Sequence, residues 1–183
     1  RTNYQGYEIT SFLKTGDNAF GVSLGDGWYF GNLSAVGRNQ YGVYPRMFTA
    51  IIKINYKDGT SEEFYTDSTW KTSTGPIIYA DLQTGEYYDS NLEFKNFATV
   101  DFDDSDFGNV ITKKVSENLT AQVDEEIAKI MEIVPVSYNK VKNRYIFDMG
   151  QNMVGRIRLT VKAQKGKKIK IRYGEMLNID KSL

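Results

Sequence analysis

The chain has 183 residues, 40% hydrophobic and 14% aromatic, which suits one large β-domain or two small ones with a real core. Its 23 basic residues equal its 23 acidic ones, so the strong electrostatic footprint expected of nucleic-acid or anionic-membrane binding is missing. Cysteine and histidine are both absent, which excludes disulfides, thiolate nucleophiles, imidazole-bound metals and Ser-His-Asp triads.

Acid–base chemistry would therefore rest on carboxylates, Tyr or Lys, and metal binding on oxygen ligands, calcium above all. No apolar run is long enough to span a bilayer as a helix.

Taken in chain order, the texture is that of a β-protein. Short Tyr, Phe, Ile, Val and Thr runs alternate with Gly, Asn and Asp. Gly16-Asp17-Asn18, after Phe12-Leu13-Lys14, reads as a turn between two strands, since Asp and Asn satisfy local backbone donors. Gly25-Asp26-Gly27 reads as a second turn, with Trp28 in the core and Tyr29 equally suited to the core or to an aromatic ligand contact. Ile52, Ile54 and Tyr56 alternate with lysine and asparagine up to Asp58-Gly59, and a second strand around Phe64 completes a hairpin. Trp70 reads as core. Gly75-Pro76-Ile77 is a β-connection followed by Asp81, Glu86 and Asp89, where ligand and solvated charge look alike. Asp101, Asp103, Asp104 and Asp106 fail the EF-hand pattern, because the required Gly and bidentate Glu are missing, and read as a solvated turn.

The polar stretch 113–118 places a domain boundary near Glu117, giving segments 1–117 and 118–183. Beyond it, Ile127, Ile130, Met131 and Val134 fit helical spacing, while Ile127, Lys129, Met131 and Ile133 alternate as a strand. Strand is the expectation, ended by Pro135. Around Asp148, Gln151 and Asn152 a strand ends and turns through Gly150. A last hairpin is expected from Ile157, Leu159, Val161 and Ala163 to Ile169, Ile171 and Tyr173 across Lys165-Gly166. The basic residues along it suit a charged sheet face that discourages edge pairing better than a nucleic-acid contact. The architecture expected is all-β, in antiparallel β-sandwich, jelly-roll-like modules.

Two segments carry a resemblance. Tyr145-Ile146-Phe147-Asp148-Met149-Gly150-Gln151-Asn152-Met153-Val154-Gly155 resembles a signature segment of bacterial α-L-rhamnosidases, in the sandwich preceding their catalytic barrel. Thr15 to Val22, followed by Gly25-Asp26-Gly27-Trp28-Tyr29, resembles the amino-terminal accessory domain of the same enzymes. The resemblance implies an accessory, carbohydrate-binding-like sandwich truncated at its amino end, then the start of a second sandwich. It also implies sugar contacts from Asp17, Asn18, Tyr29 and Pro76, with Asp17, Asn18 and the Pro76 carbonyl as ligands for calcium.

Its partners would be L-rhamnose or rhamnose-containing glycans and the catalytic domain of the same chain, with no nucleic acid and no membrane. A periplasmic or extracellular setting goes with such substrates. Nothing in the sequence resembles the barrel that carries the family's catalytic acids, so this segment is expected to be inactive alone. Two other readings stand beside it: a scaffold for the barrel without a ligand of its own, and a stand-alone cell-surface interaction module.

Overall fold

The computed structural model describes residues 2–114 and 118–183. Among the described residues, and besides three single-turn 3-10 helices, ten strands and one short α-helix occur in the order β1 (Thr2–Tyr4), α1 (Gly27–Phe30), β2 (Ile51–Asn55), β3 (Ser61–Tyr65), β4 (Lys71–Thr72), β5 (Ile77–Asp81), β6 (Gly85–Tyr88), β7 (Gly108–Asn109), β8 (Leu119–Ala121), β9 (Ser137–Val141) and β10 (Arg144–Asp148). The chain is all-β. Four ladders are antiparallel (β2–β3, β4–β7, β5–β6 and β9–β10), and β1–β8 is parallel. Contacts divide the chain into two compact units, Arg1–Gln122 and Val123–Leu183. The boundary expected near Glu117 lies outside the described residues.

In the first unit the β2–β3 hairpin forms where period-two alternation places it, with Ile52 opposite Phe64 and Ile54 opposite Glu62. Its turn is fixed by Gly59, at a φ of 88° that favours glycine, and by Asp58 Oδ1, which accepts from Thr60 N at 2.9 Å. The β5–β6 hairpin follows, closed by Asp81 Oδ1, which accepts from the amides of Gln83 at 2.9 Å and Thr84 at 3.0 Å. Aromatic clusters contribute to the side-chain packing. Phe94 lies 5.0 Å from Phe107 and 6.1 Å from Phe102, which also meets Phe97 edge-on at 5.9 Å. Trp70 contacts Phe20 and Phe48 at 6.0 and 6.2 Å. Phe30 stacks on Tyr44 at 5.0 Å and 7°.

The aspartates at 101–106 do form a turn, in which Ser105 N donates to Asp103 Oδ1 at 3.0 Å. Their flanking Phe102 and Phe107 enter the cluster with Phe94, so the run serves to carry aromatics inward on both sides of a polar corner.

The second unit is built on β9–β10, with Tyr138 opposite Phe147. Their rings lie 5.8 Å apart, and Tyr145 adds a third ring 6.4 Å from Tyr138. Lys142 takes a left-handed φ of 55° in the turn. β10 ends as expected: Asp148 Oδ1 accepts from Gly150 N at 2.8 Å, and Gly150 sits at a φ of 75°.

Two expectations fail in this unit. Residues 127–134 form neither strand nor helix, and Ile127, Ile130 and Val134 are almost fully exposed. Neither apolar period finds a surface to pack on, and without packing neither pattern is selected. The expected hairpin over 156–173 keeps its turn, with Lys167 N donating to Gln164 O at 3.1 Å, but forms no ladder. Ile157, Leu159, Val161, Ile169 and Ile171 remain half-exposed, and a two-stranded pair without a covered face is marginal.

Candidate functional site

The Asp17–Asn18 turn is built by the asparagine. Asn18 Oδ1 accepts from Lys14 N at 3.0 Å, and Nδ2 donates to the carbonyls of Lys14 at 2.8 Å and Gly16 at 2.9 Å. Gly16 makes the reversal at a φ of 88°. Asp17 is exposed and has no hydrogen-bond or ion-pair partner among the described residues. The Pro76 carbonyl accepts from Asp89 N at 2.8 Å, which ties the loop to the end of the β5–β6 hairpin.

Tyr29 lies on α1, half-exposed, its ring edge-on to Phe30 at 5.0 Å. Trp28 is 54% exposed, which corrects the core reading: a single helical turn that buries Phe30 aims its neighbours outward. Among the described contacts, none joins Asp17, Asn18, Tyr29 and Pro76 to one another.

What the sequence reading missed is a buried charge cluster behind α1. Asp26, read as a turn residue, is 4% exposed, and Asp81 is 9% exposed. Asp26 Oδ1 accepts from Arg46 Nε at 3.0 Å, from Arg46 Nη2, and from the Tyr44 hydroxyl at 3.1 Å, while Oδ2 accepts from Arg38 Nη2. The other nitrogen of the same guanidinium, Arg38 Nη1, donates to Asp81 Oδ2 and to the Tyr79 hydroxyl, both at 2.9 Å. Asp81 Oδ2 also accepts from Asn32 N at 2.8 Å and Nδ2 at 2.9 Å. Arg38 lies over the Tyr79 ring at 4.9 Å, and Arg46 over the Tyr44 ring at 4.8 Å.

The electrostatics follow from that geometry. Burial works against charge on Asp26, yet hydrogen bonds from Arg46, Arg38 and Tyr44 outweigh it and hold the carboxyl below its ordinary range. Burial likewise opposes charge on Asp81, and the amides of Asn32, Thr84 and Gln83 overcome it, lowering that carboxyl well below its usual value. The hydrogen bond to Asp26 raises Arg38. Two aspartates and two arginines thus form a neutral, fully ionised set. Neither carboxyl holds a proton near neutrality, as a general acid for glycoside cleavage must.

Among the described residues, no three acidic side chains gather where they would hold a metal, and every buried side-chain polar atom has a partner. No local pattern in the sequence links Asp26, Arg38, Arg46 and Asp81, so the cluster had no sequence signal.

The α-L-rhamnosidase N-terminal domain family matches residues 1–132, and the bacterial α-L-rhamnosidase concanavalin-like domain matches residues 139–183. The chain belongs to the α-L-rhamnosidase family. It is 36% identical over 183 residues to the α-L-rhamnosidase of Streptomyces avermitilis, covering 98% of this chain and 18% of that protein. The solved structure of the Streptomyces avermitilis α-L-rhamnosidase complexed with L-rhamnose superposes with a TM-score of 0.61 and 34% identity, over 70% of this chain and 13% of that one. That of native α-L-rhamnosidase from Aspergillus terreus gives a TM-score of 0.62 and 25% identity, over 82% and 18% respectively. The rhamnosidase segment described here is therefore all-β of the sandwich class, and it spans under a fifth of the length of the curated relatives it matches.

Proposed function

We propose that this chain is a non-catalytic β-sandwich segment of an α-L-rhamnosidase-like glycoside hydrolase. The parent enzyme would release terminal L-rhamnose from rhamnose-containing glycans in the periplasm or outside the cell, with hydrolysis performed by a catalytic domain of the same chain. One observation carries the reading for this segment. Its two buried carboxylates, Asp26 and Asp81, are saturated by hydrogen bonds and held ionised, so they brace the sandwich and offer no proton. The purified chain, assayed with an aryl α-L-rhamnoside, should show no turnover above the uncatalysed rate. Turnover that co-purifies with the chain and persists at constant specific activity would overturn the reading.

A second reading adds a ligand: the first unit, as a jelly-roll-like module, binds L-rhamnose together with calcium at Asp17, Asn18 and Pro76, with Tyr29 against the sugar. The observation in its favour is the exposed, unpartnered Asp17 carboxylate beside an Asn18 held rigid by three hydrogen bonds. The fit is partial. Asn18 Oδ1 and the Pro76 carbonyl each already accept one backbone N–H, so most of the six to eight oxygens calcium takes would have to come from sugar and water. Calorimetric titration of L-rhamnose with calcium, and again with chelator, decides it. Calcium-dependent heat lost in Asp17→Ala/Asn18→Ala supports the site, and no heat from folded protein leaves the scaffold alone.

A further inference from the structure

A cleft of about 440 Å3 lies beside the β2–β3 hairpin, apart from both the charge cluster and the Asp17–Asn18 turn, and Ile52, Phe64, Thr66, Asp67, Thr69 and Trp70 are among the residues lining it. Its volume is in the range of small-ligand sites. The ladder builds its apolar wall. Ile52 faces Phe64, and two positions on, past the Ile51–Tyr65 pair, Thr66 N donates to Ala50 O while Ala50 N donates to Thr66 Oγ1, both at 3.2 Å.

Trp70 is half-buried and pinned by Phe20 and Phe48, so its indole is held in place. Asp67 is fixed too: its Oδ1 accepts from Thr69 N at 2.8 Å and Thr69 Oγ1 at 2.6 Å. Oδ2 has no partner among the described residues.

The chemistry of the lining narrows the ligand class. No lysine or arginine lines the cleft, which disfavours anions, and of its two carboxylates Glu63 is already engaged by Lys53 at 3.4 Å and by the Tyr65 hydroxyl, which leaves Asp67 as the acceptor. A rigid aromatic ring beside a preset carboxylate and hydroxyls suits a molecule with one C–H face and several hydroxyl donors. We propose that this cleft binds one neutral pyranose unit, its C–H face on the Trp70 ring and its hydroxyls donating to Asp67. The site is independent of the proposed calcium site.

The chain has two tryptophans, so Trp28→Phe leaves Trp70 as the sole indole reporter. That variant is titrated with methyl α-L-rhamnopyranoside and, separately, methyl α-D-glucopyranoside. A saturable change in Trp70 emission is expected with at least one glycoside, weakened about tenfold by Asp67→Asn and unaffected by Asp17→Ala/Asn18→Ala. Asp67→Asn keeps the side-chain oxygen that caps Thr69, and unchanged far-ultraviolet circular dichroism verifies that it folds. No saturable change with either glycoside, an identical curve in Asp67→Asn, or loss only in Asp17→Ala/Asn18→Ala would overturn the proposal. Because no calcium is added, failure here leaves the calcium-dependent reading standing, and the reverse also holds.

Discussion

Arg38 donates through Nη1 to Asp81 Oδ2 at 2.9 Å, joining the turn after α1 to the end of β5 across 43 residues of sequence. Through Nη2 the same guanidinium reaches Asp26, so one planar fork holds two carboxylates in place. The side chains of Asp26 and Asp81 are 3% and 0% exposed. Coulomb attraction offsets their desolvation only while every donor is present.

Removing one charge should therefore be costly. Asp26→Ala leaves Arg38 and Arg46 without their shared acceptor and is expected to destabilise the chain by about 3 kcal/mol. Equilibrium urea unfolding measures it. A loss below about 0.5 kcal/mol would place the cluster among surface ion pairs of little consequence.

The pH dependence has a definite sign. Both Asp26 and Asp81 have folded-state values lowered from the ordinary carboxyl range. The unfolded chain therefore binds more protons in acid, and this part of the stability is complete above the unfolded aspartate value near about 4. It is lost as pH falls through the lowered folded values. Unfolding midpoints measured from neutrality downward should drop below about pH 4, and the drop should be shallower in an Asp26→Asn/Asp81→Asn variant. Equal acid sensitivity in that variant would assign the effect to other carboxyls.

Gly31 sits at the close approach that makes the cluster possible. It is buried, and a Cβ there would overlap the Gly27 carbonyl oxygen and reach 3.1 Å from Asp81 Oδ2. The Gly27 carbonyl is backbone and accepts the Gly31 amide at 3.1 Å, so it has little freedom to yield. Gly31→Ala should cost about 2 kcal/mol in thermal or urea unfolding. Gly25→Ala, with open space at its Cβ, is the matched control and should cost far less.

Tyr88 supplies a spectroscopic check on the β5–β6 hairpin. Its hydroxyl donates to Glu93 Oε1 at 2.6 Å, and that bond, with burial and the Glu93 charge, pushes the phenol up to about 12. Ultraviolet titration should show a late tyrosine that disappears in Tyr88→Phe and moves earlier in Glu93→Gln. The raised value also means its stabilisation is complete below an unfolded tyrosine value of about 10 and is lost as pH rises through the folded one.

The sequence by itself determined what local periodicity and turn chemistry control. Alternation across Ile52, Ile54 and Phe64 with Asp58-Gly59 between them suffices for the β2–β3 ladder, because a two-residue period and a short turn fix register without distant help. Asp148 and Gly150 set the end of β10 in the same way. Family membership was also legible, since both resembling segments are short and contiguous.

Only the tertiary structure decided the rest. Asp26, Arg38, Arg46 and Asp81 carry no shared local pattern, and they meet because α1 packs on β5 and the Arg38 fork spans the gap between them. Trp28 faces out because Phe30 already fills the inward side of a one-turn helix. At 127–134 and 156–173 the alternation is present without a ladder, because pairing and burial stabilise each other and a periodic strand without a facing surface has neither.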